Sequence, residues 1–430
     1  MHVYTKLTVL VTLLLCCRYN HTLAQGDGFI YKNGQRTFVF GSYYLPAAED
    51  TLKEMTDAGF NLFSCRNRQE LDRLQKLHVQ GWMWVHLHKG VTPELKKTVA
   101  ENAGHPALAL WSGPDELVWN FTAHSKLYRK EGIHSVAGAW KKLTPEALAY
   151  GRQQAAALLP KLQEAAAYVR SADKGNRQIW MNEAEASDMA YVGDYMNAID
   201  IAGCDIYPIK ANLPAGSTAP RKAIQIIGKA TRKWTAISQQ KPVWMVLQGF
   251  SWNELLAVEP ENAVGRPVAY PSFEESRFMA YDAIANGAAG ILYWDMRYLT
   301  SDPFRQSLYG LAREFKALQP LLSTEPKPVT VTAWQPELSG DDRVAATARQ
   351  YGRDWMVVIV NSADTSQLAA VVQGLHLLNG QQLVELYGTD EVQVKNGQFV
   401  TRLRPFQVKV FATGRKWETA NRKGRNYAGQ

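Results

Sequence analysis

Cysteine is scarce in this chain, four among 430 residues, and two of the four, Cys16 and Cys17, fall within the first 24 positions. The other two, Cys65 and Cys204, sit inside apolar segments where a small buried thiol is the common role, so this is no disulfide scaffold. No CxxC or HxxxH pair occurs, which gives a zinc site little support. No GxGxxG or GxxxxGK[ST] turn occurs either, so the usual announcement of a bound nucleotide is missing. Nor does any apolar run reach the roughly 20 residues that a membrane-spanning helix needs. Charge of one sign is sparse away from the ends. The net +8 includes Lys6 and Arg18 in an acid-free leader, and residues 412–430 carry five basic side chains against Glu418. A basic tail is not a basic binding face, and nothing here points to a nucleic-acid partner.

What is present is globular: 46% hydrophobic, 20% charged and 11% aromatic residues, enough to bury one large core or two. Residues 7–17, LTVLVTLLLCC, follow a start bearing one Lys and precede the small-residue site Thr22-Leu-Ala24. That three-part pattern reads residues 1–24 as a secretory signal and predicts a secreted or periplasmic protein. A lipid anchor on Cys16 or Cys17 is the alternative, disfavoured because the preceding residues are leucines rather than small ones.

Between about residues 37 and 323, short apolar runs alternate with stretches of helical periodicity. The runs are Phe38–Leu45, Asn61–Cys65, Gly81–Leu87, Ala107–Trp111, Ile179–Asn182, Ile199–Tyr207, Pro242–Leu247 and Gly290–Trp294. Residues 51–59 and 70–77 show the cleanest helical spacing, and Gly59 is placed to end the first helix. Eight such units imply a parallel sheet of (β/α)₈ barrel size, class α/β, over residues 25–323, in preference to a doubly wound open sheet. From residue 324 to 414 only strand signals remain, with turns at Ser339-Gly-Asp-Asp342, Asn379-Gly380 and Asn396-Gly397; this predicts a small β-sandwich, followed by a basic tail at 415–430. The long polar segment 121–144, after the fourth strand, could wall one side of a pocket.

A filled barrel leaves its chemistry to the C-terminal ends of its strands. Taken in order, those ends offer Tyr43 and Tyr44; Arg66; His86 and His88; Asp115 and Glu116; Glu183 and Glu185; Asp205 and Tyr207; Gln248 and Trp252; and Trp294, Asp295 and Arg297. Carboxylates and aromatics therefore converge on one face. Sugars lay their CH faces on aromatic rings and need carboxylates and amides for their hydroxyls, so such a cleft suits a carbohydrate. Trp111, Trp119, Trp252, Trp294, Tyr44 and Tyr207 are the candidate platforms. Hydrolysis of a glycosidic bond adds the need for one protonated carboxyl and a second carboxylate.

On the opening Asn33-Gly34…Gly41-Ser-Tyr-Tyr44, the strand-four motif Trp111-Ser-Gly-Pro-Asp-Glu116 and the eighth-strand Tyr293-Trp294, the chain resembles the large clan of (β/α)₈ glycoside hydrolases. The resemblance implies that Glu116 is the general acid/base, with Asp115 where the clan usually has Asn, and that a Glu nucleophile should end strand seven. Here Gln248 stands there, an amide that cannot attack an anomeric carbon. The second carboxylate is then Asp205, Glu185, Glu183 or Asp295 at another strand end, or Glu254 in the loop after strand seven, or there is none. Asp205 ranks first, because Gly203-Cys-Asp-Ile-Tyr-Pro208 sets an acid beside an aromatic and a turn-forming proline.

The expected site is thus Glu116 and Asp205 as catalytic groups, with Tyr44, Arg66, His86, Trp111, Asp115, Glu185, Tyr207, Gln248, Trp252, Trp294 and Asp295 around the sugar. No metal and no cofactor are called for. His86 and His88 recreate the HxH pair of amidohydrolases, but on the third strand rather than the first, and read better as sugar contacts. Two rival readings stay open: a carbohydrate-binding protein on a barrel without catalysis, and a metal-dependent hydrolase at the two histidines.

Overall fold

The computed structural model describes residues 26–122, 144–209, 224–257, 268–333, 343–364 and 366–419. Eight parallel strands close into a barrel in chain order: β1 (Val39–Ser42), β2 (Leu62–Cys65), β3 (Gln80–Trp84), β4 (Leu108–Ser112), β5 (Ile179–Ala184), β6 (Ile201–Asp205), β7 (Val243–Gln248) and β8 (Ala288–Trp294). The barrel shuts where Gly290 to Tyr293 of β8 pair with Val39 to Ser42 of β1. A helix follows each strand. The first, Glu49–Ala58, ends on Gly59, which at φ 129° returns its N–H to Met55 and Thr56. The second, Arg68–Lys76, starts on Asn67, whose side chain accepts the Glu70 N–H, and buries Leu71 and Leu74.

Barrel strands are buried on both faces, which is why they read as near-continuous apolar runs. Leu62, Trp82, Leu110, Trp180, Ile201, Trp244 and Leu292 fill the interior. Three tryptophans fit there because small residues face them: a Cβ on Gly290 would come within 2.7 Å of the Trp244 ring, and one on Gly203 within 3.0 Å of Trp180. Trp180 meets Trp82 edge-on at 5.7 Å and Trp244 at 5.4 Å. The ring of Tyr43 stands on this layer, 5.3 Å from Trp82 and 5.8 Å from Trp180, and marks the floor of the upper face. The third strand stops at Trp84, earlier than the apolar run to Leu87 suggests; Leu87–Lys89 form a 3₁₀ turn that carries His86 and His88 beyond the strand. Cys65 and Cys204 are buried free thiols.

Among the described residues the C-terminal part is a two-sheet sandwich of nine strands. They are β9 (Pro326–Lys327), β10 (Thr330–Ala333), β11 (Val344–Tyr351), β12 (Asp354–Asn361), β13 (Leu368–Gln373), β14 (Gln382–Glu385), β15 (Glu391–Gln393), β16 (Gln398–Leu403) and β17 (Val408–Ala412). The six-stranded sheet runs β9-β11-β12-β17-β14-β15 and the three-stranded sheet β10-β13-β16. Val357 and Ile359 point into the sandwich core, whereas Met356, Val358 and Val360 join the core of the barrel's helix layer. Strand β12 therefore has no polar face. Residues 1–24, most of the 121–144 segment and all but the start of the tail lie outside the described residues. No helix among the described residues is long and apolar enough to cross a membrane.

At the seam between the two parts, Arg277 on the helix Phe273–Ala285 contacts Glu314 at 2.9 Å and donates to the Val408 carbonyl at 3.1 Å. Glu314 is fully buried and also accepts from Tyr281 at 2.8 Å. Removing one member of such a pair strands the other charge in a dry seam, which costs about 3–5 kcal/mol. Arg277→Leu should lower the urea-unfolding free energy by that order, read by far-ultraviolet circular dichroism. An unchanged midpoint would mean that Arg277, through Glu314 and the Val408 carbonyl, does not hold the seam together.

Candidate active site

The upper face is organised by a turn after β4. Asp115 and Glu116 leave the strand, and Glu116 takes a left-handed backbone, φ 49°, a conformation that non-glycine residues adopt only when the surroundings impose it. Strand β5 imposes it. The Glu116 N–H donates to the Asn182 carbonyl at 2.8 Å, and the Asn182 side-chain amide donates to Asp115 at 3.0 Å. The next residue, Glu183, is fully buried and spends its carboxylate on the N–H groups of Val118, 2.8 Å, and Trp119, 3.1 Å, and on the Ser187 hydroxyl, 2.8 Å. It thereby caps the short helix Leu117–Thr122 that the turn leads into.

Around this turn three carboxyls meet. Burial, then the charges of Asp205 and Asp115, push Glu116 up to about 9. Burial and the Asp205 charge push Asp115 up to about 7, opposed by the hydrogen bond from Asn182. Asp205, 6% exposed, is also raised by burial, but hydrogen bonding from Tyr207, Glu116 and Asn182 works to keep it ionised. The proximity of the two raises Glu116 and works against the rise of Asp205, so of the pair Glu116 holds a proton the more readily. Glu183, pushed up to about 7 by burial, stands behind them. The hydroxyl of Tyr43, the side-chain oxygen of Asn182 and the Oδ1 of Asp205 are buried, and among the described residues none of the three has a partner in good hydrogen-bonding geometry, although Tyr43 lies close enough to Asp115 to oppose the rise of that carboxyl.

Beside the carboxyls lies an aromatic group. Tyr207 stacks on Trp294 at 5.2 Å and 23°, Phe250 meets Trp294 edge-on at 5.0 Å, and the Trp252 indole donates to the Tyr207 carbonyl at 3.3 Å. The structure brings together Asp115, Glu116, Asp205 and Tyr207, with Trp252 and Trp294 against Tyr207. It adds Tyr43 and Asn182, which the list of expected site residues lacked.

The other expected residues are placed elsewhere. Gln248 is fully buried and wholly engaged: its oxygen accepts the Ile209 N–H at 3.0 Å and its amide donates to the carbonyls of Ile209, 2.9 Å, and Phe250, 3.1 Å. Trp111 points into the helix layer, where its indole donates to Asp173 at 2.7 Å. Tyr44 packs against that same outer core. Arg66 reaches into solvent and pairs with Glu70 at 2.8 Å. Glu185 pairs with Lys233 at 3.4 Å, Asp295 with Arg297 at 3.0 Å, and Glu254 accepts from Tyr270 and Thr300. His86 is exposed, its ring 5.9 Å from that of His88. No group of three or more His, Cys, Asp or Glu among the described residues could hold a metal ion.

No protein-family model matches the sequence, and no curated protein matches it. Solved structures do. A GH42 beta-galactosidase, Gan42B, aligns over 90% of this chain and 98% of its own with a TM-score of 0.54 and 11% identity. A beta-galactosidase from Bacillus circulans sp. alkalophilus aligns over 90% and 99% with a TM-score of 0.53 and 9% identity. A third, from the psychrophilic Marinomonas ef1, gives a TM-score of 0.44 and 12% identity over 65% of this chain, which spans only 60% of that protein's length. The shared property is the fold, a (β/α)₈ barrel of the glycoside hydrolase kind followed by a β-sandwich.

The raised carboxyls set the sign of a pH dependence. A carboxyl whose folded pKa is raised keeps a proton that the unfolded chain has lost, so stability is complete below the ordinary carboxylate range and falls as pH rises through the folded value. For Glu116 that window runs from about pH 4.5 to about 9. Glu116→Gln removes the titration, so its unfolding free energy relative to wild type should improve between pH 5 and pH 8.5. Parallel pH profiles in denaturant titrations would show that Glu116 does not carry the extra proton.

Proposed function

We propose that the protein is an exported glycoside hydrolase in which Glu116 protonates the leaving oxygen of a glycosidic bond. The observation that carries this reading is the gathering of Asp115, Glu116 and Asp205 at the C-terminal mouth of the barrel, where burial and each other's charge raise Glu116. A general acid must arrive protonated at working pH, and burial beside two other carboxyls achieves that here, as it does generally for raised catalytic carboxyls. Asp205 is the second carboxyl: buried beside Glu116, in its ionised form it would face positive charge developing at the anomeric carbon. Tyr207, Trp252 and Trp294 would offer ring faces to a sugar. The glycosidase folds to which this chain is similar support the substrate class, and the signal-like segment 7–24 supports export.

The fully tied Gln248 favours one other reading, a carbohydrate-binding protein that does not cleave, since the strand-seven position contributes no carboxylate. One experiment separates the two. Against a panel of aryl glycosides and oligosaccharides, wild type should release sugar with a rate flat through neutral pH and falling above about pH 9. Glu116→Gln should lose at least about 10² in kcat while still binding the same glycan. Binding without release, equal in wild type and variant, would establish the second reading and remove the first.

A further inference from the structure

Far from the carboxyls, on the side where the strands begin, a groove of about 680 Å³ opens between the barrel and the sandwich, lined by Lys241, Lys327, Arg232 and Arg349 among others. Arg349, on β11, is 4% exposed. Burial pulls it down to about 10, so it is still a cation at neutral pH. A buried guanidinium normally faces a carboxylate, because an isolated charge away from water is costly. Arg349 has none within ion-pair distance among the described residues: one terminal nitrogen donates to the carbonyls of Leu322 and Thr324, and its Nε is buried with no partner. The two acids that line the groove, Asp27 and Glu325, are both held by Arg36, at 3.0 Å and 2.8 Å. Positive charge is therefore in excess, and its most buried member has no carboxylate in contact, only the more distant charge of Glu325. Unsatisfied buried groups of this kind are rare in native proteins and commonly mark a missing ion or water.

We propose that this groove binds a small oxyanion, a carboxylate, sulfate or phosphate group, with Arg349 as its anchor and Lys241 and Lys327 as flanking charges. The guanidinium fork suits planar or tetrahedral oxyanions, and the two lysines add point charges on the solvent side. The site is independent of any glycosidase activity, and its occupant would bridge barrel and sandwich.

Isothermal titration of the full chain with sodium sulfate, sodium phosphate and sodium acetate, at ionic strength fixed with sodium chloride, tests the proposal. Saturable binding of at least one oxyanion is expected. Lys241→Gln and Lys327→Gln, at positions that are not fully buried, should each weaken it about tenfold, a loss of one favourable charge contact. Arg349→Met should abolish it. Glu325→Gln, which removes negative charge from the groove, should tighten it. Should Arg349→Met fold poorly, the lysine and Glu325 variants still decide the matter. No heat of binding at millimolar anion in wild type, or affinity equal in wild type, both lysine variants and Glu325→Gln, would overturn the site. The selectivity among the three salts shows whether a tetrahedral or a planar group is preferred.

Discussion

Three carboxyls, Asp115, Glu116 and Asp205, crowd a space too dry for all of them to ionise, and the upper face of the barrel is arranged around that constraint. Like charges at close range in low dielectric repel far more strongly than in water, so one of the group must hold a proton. The choice falls on Glu116 because its neighbours, Asp205 and Asp115 first, all push it up, whereas Tyr207 and Asn182 oppose the rise of Asp205 and the amide of Asn182 donates to Asp115. Which group is acid and which is base is thus decided by neighbours supplied by β5 and by the segment after β6. The left-handed turn at Glu116 is the backbone cost of placing the acid there, and the cap supplied by Glu183 helps to offset it.

How much of this was legible beforehand depends on which physical signal a residue carries. The alternation of apolar runs and helical periods carried the barrel plainly, because each strand–helix unit repeats the same demand for burial. Strand parity was the weak point. Tyr43 and Tyr44 are chemically alike, and only the phase of the strand separates them: Tyr43 rises from the interior tryptophans while Tyr44 packs outward. The same ambiguity hid Asn182. Since β5 is apolar on both faces at Trp180 and Met181, nothing in its sequence tells which phase looks inward, and the acids Glu183 and Glu185 drew attention away from the amide between them and the barrel. Trp111 shows the reverse case, an aromatic at a strand end that serves the helix layer.

The sandwich illustrates a different limit. Leu368–Gln373, LAAVVQ, is a run of small and branched apolar residues with no alternation to separate strand from helix, and Gln398–Leu403 mixes Phe, Val and Leu with Thr and Arg, so neither announces itself as a strand. The long central strand Asp354–Asn361 was visible because it is buried on both sides, against its own domain and against the barrel. That double burial also explains why the two parts share a continuous core: the sandwich has one strand that cannot face water, and the helix bearing Arg277 covers it.

The replacement of a strand-seven carboxylate by Gln248 has a geometric consequence. Around a closed barrel, β4 and β7 are three strands apart, whereas β4 and β6 are two. With Asp205 on the sixth strand as the second carboxylate, as proposed, the pair lies closer together around the barrel than a β4–β7 pair would, and each perturbs the other. Under the proposed chemistry, a glycosidic oxygen has to displace Asp205 as the acceptor of the Glu116 proton before it can be protonated. Substrate binding and separation of the pair are then one event. The acid gives up a charged acceptor for a neutral one at the moment of transfer, so the free energy that holds the empty pair together opposes binding.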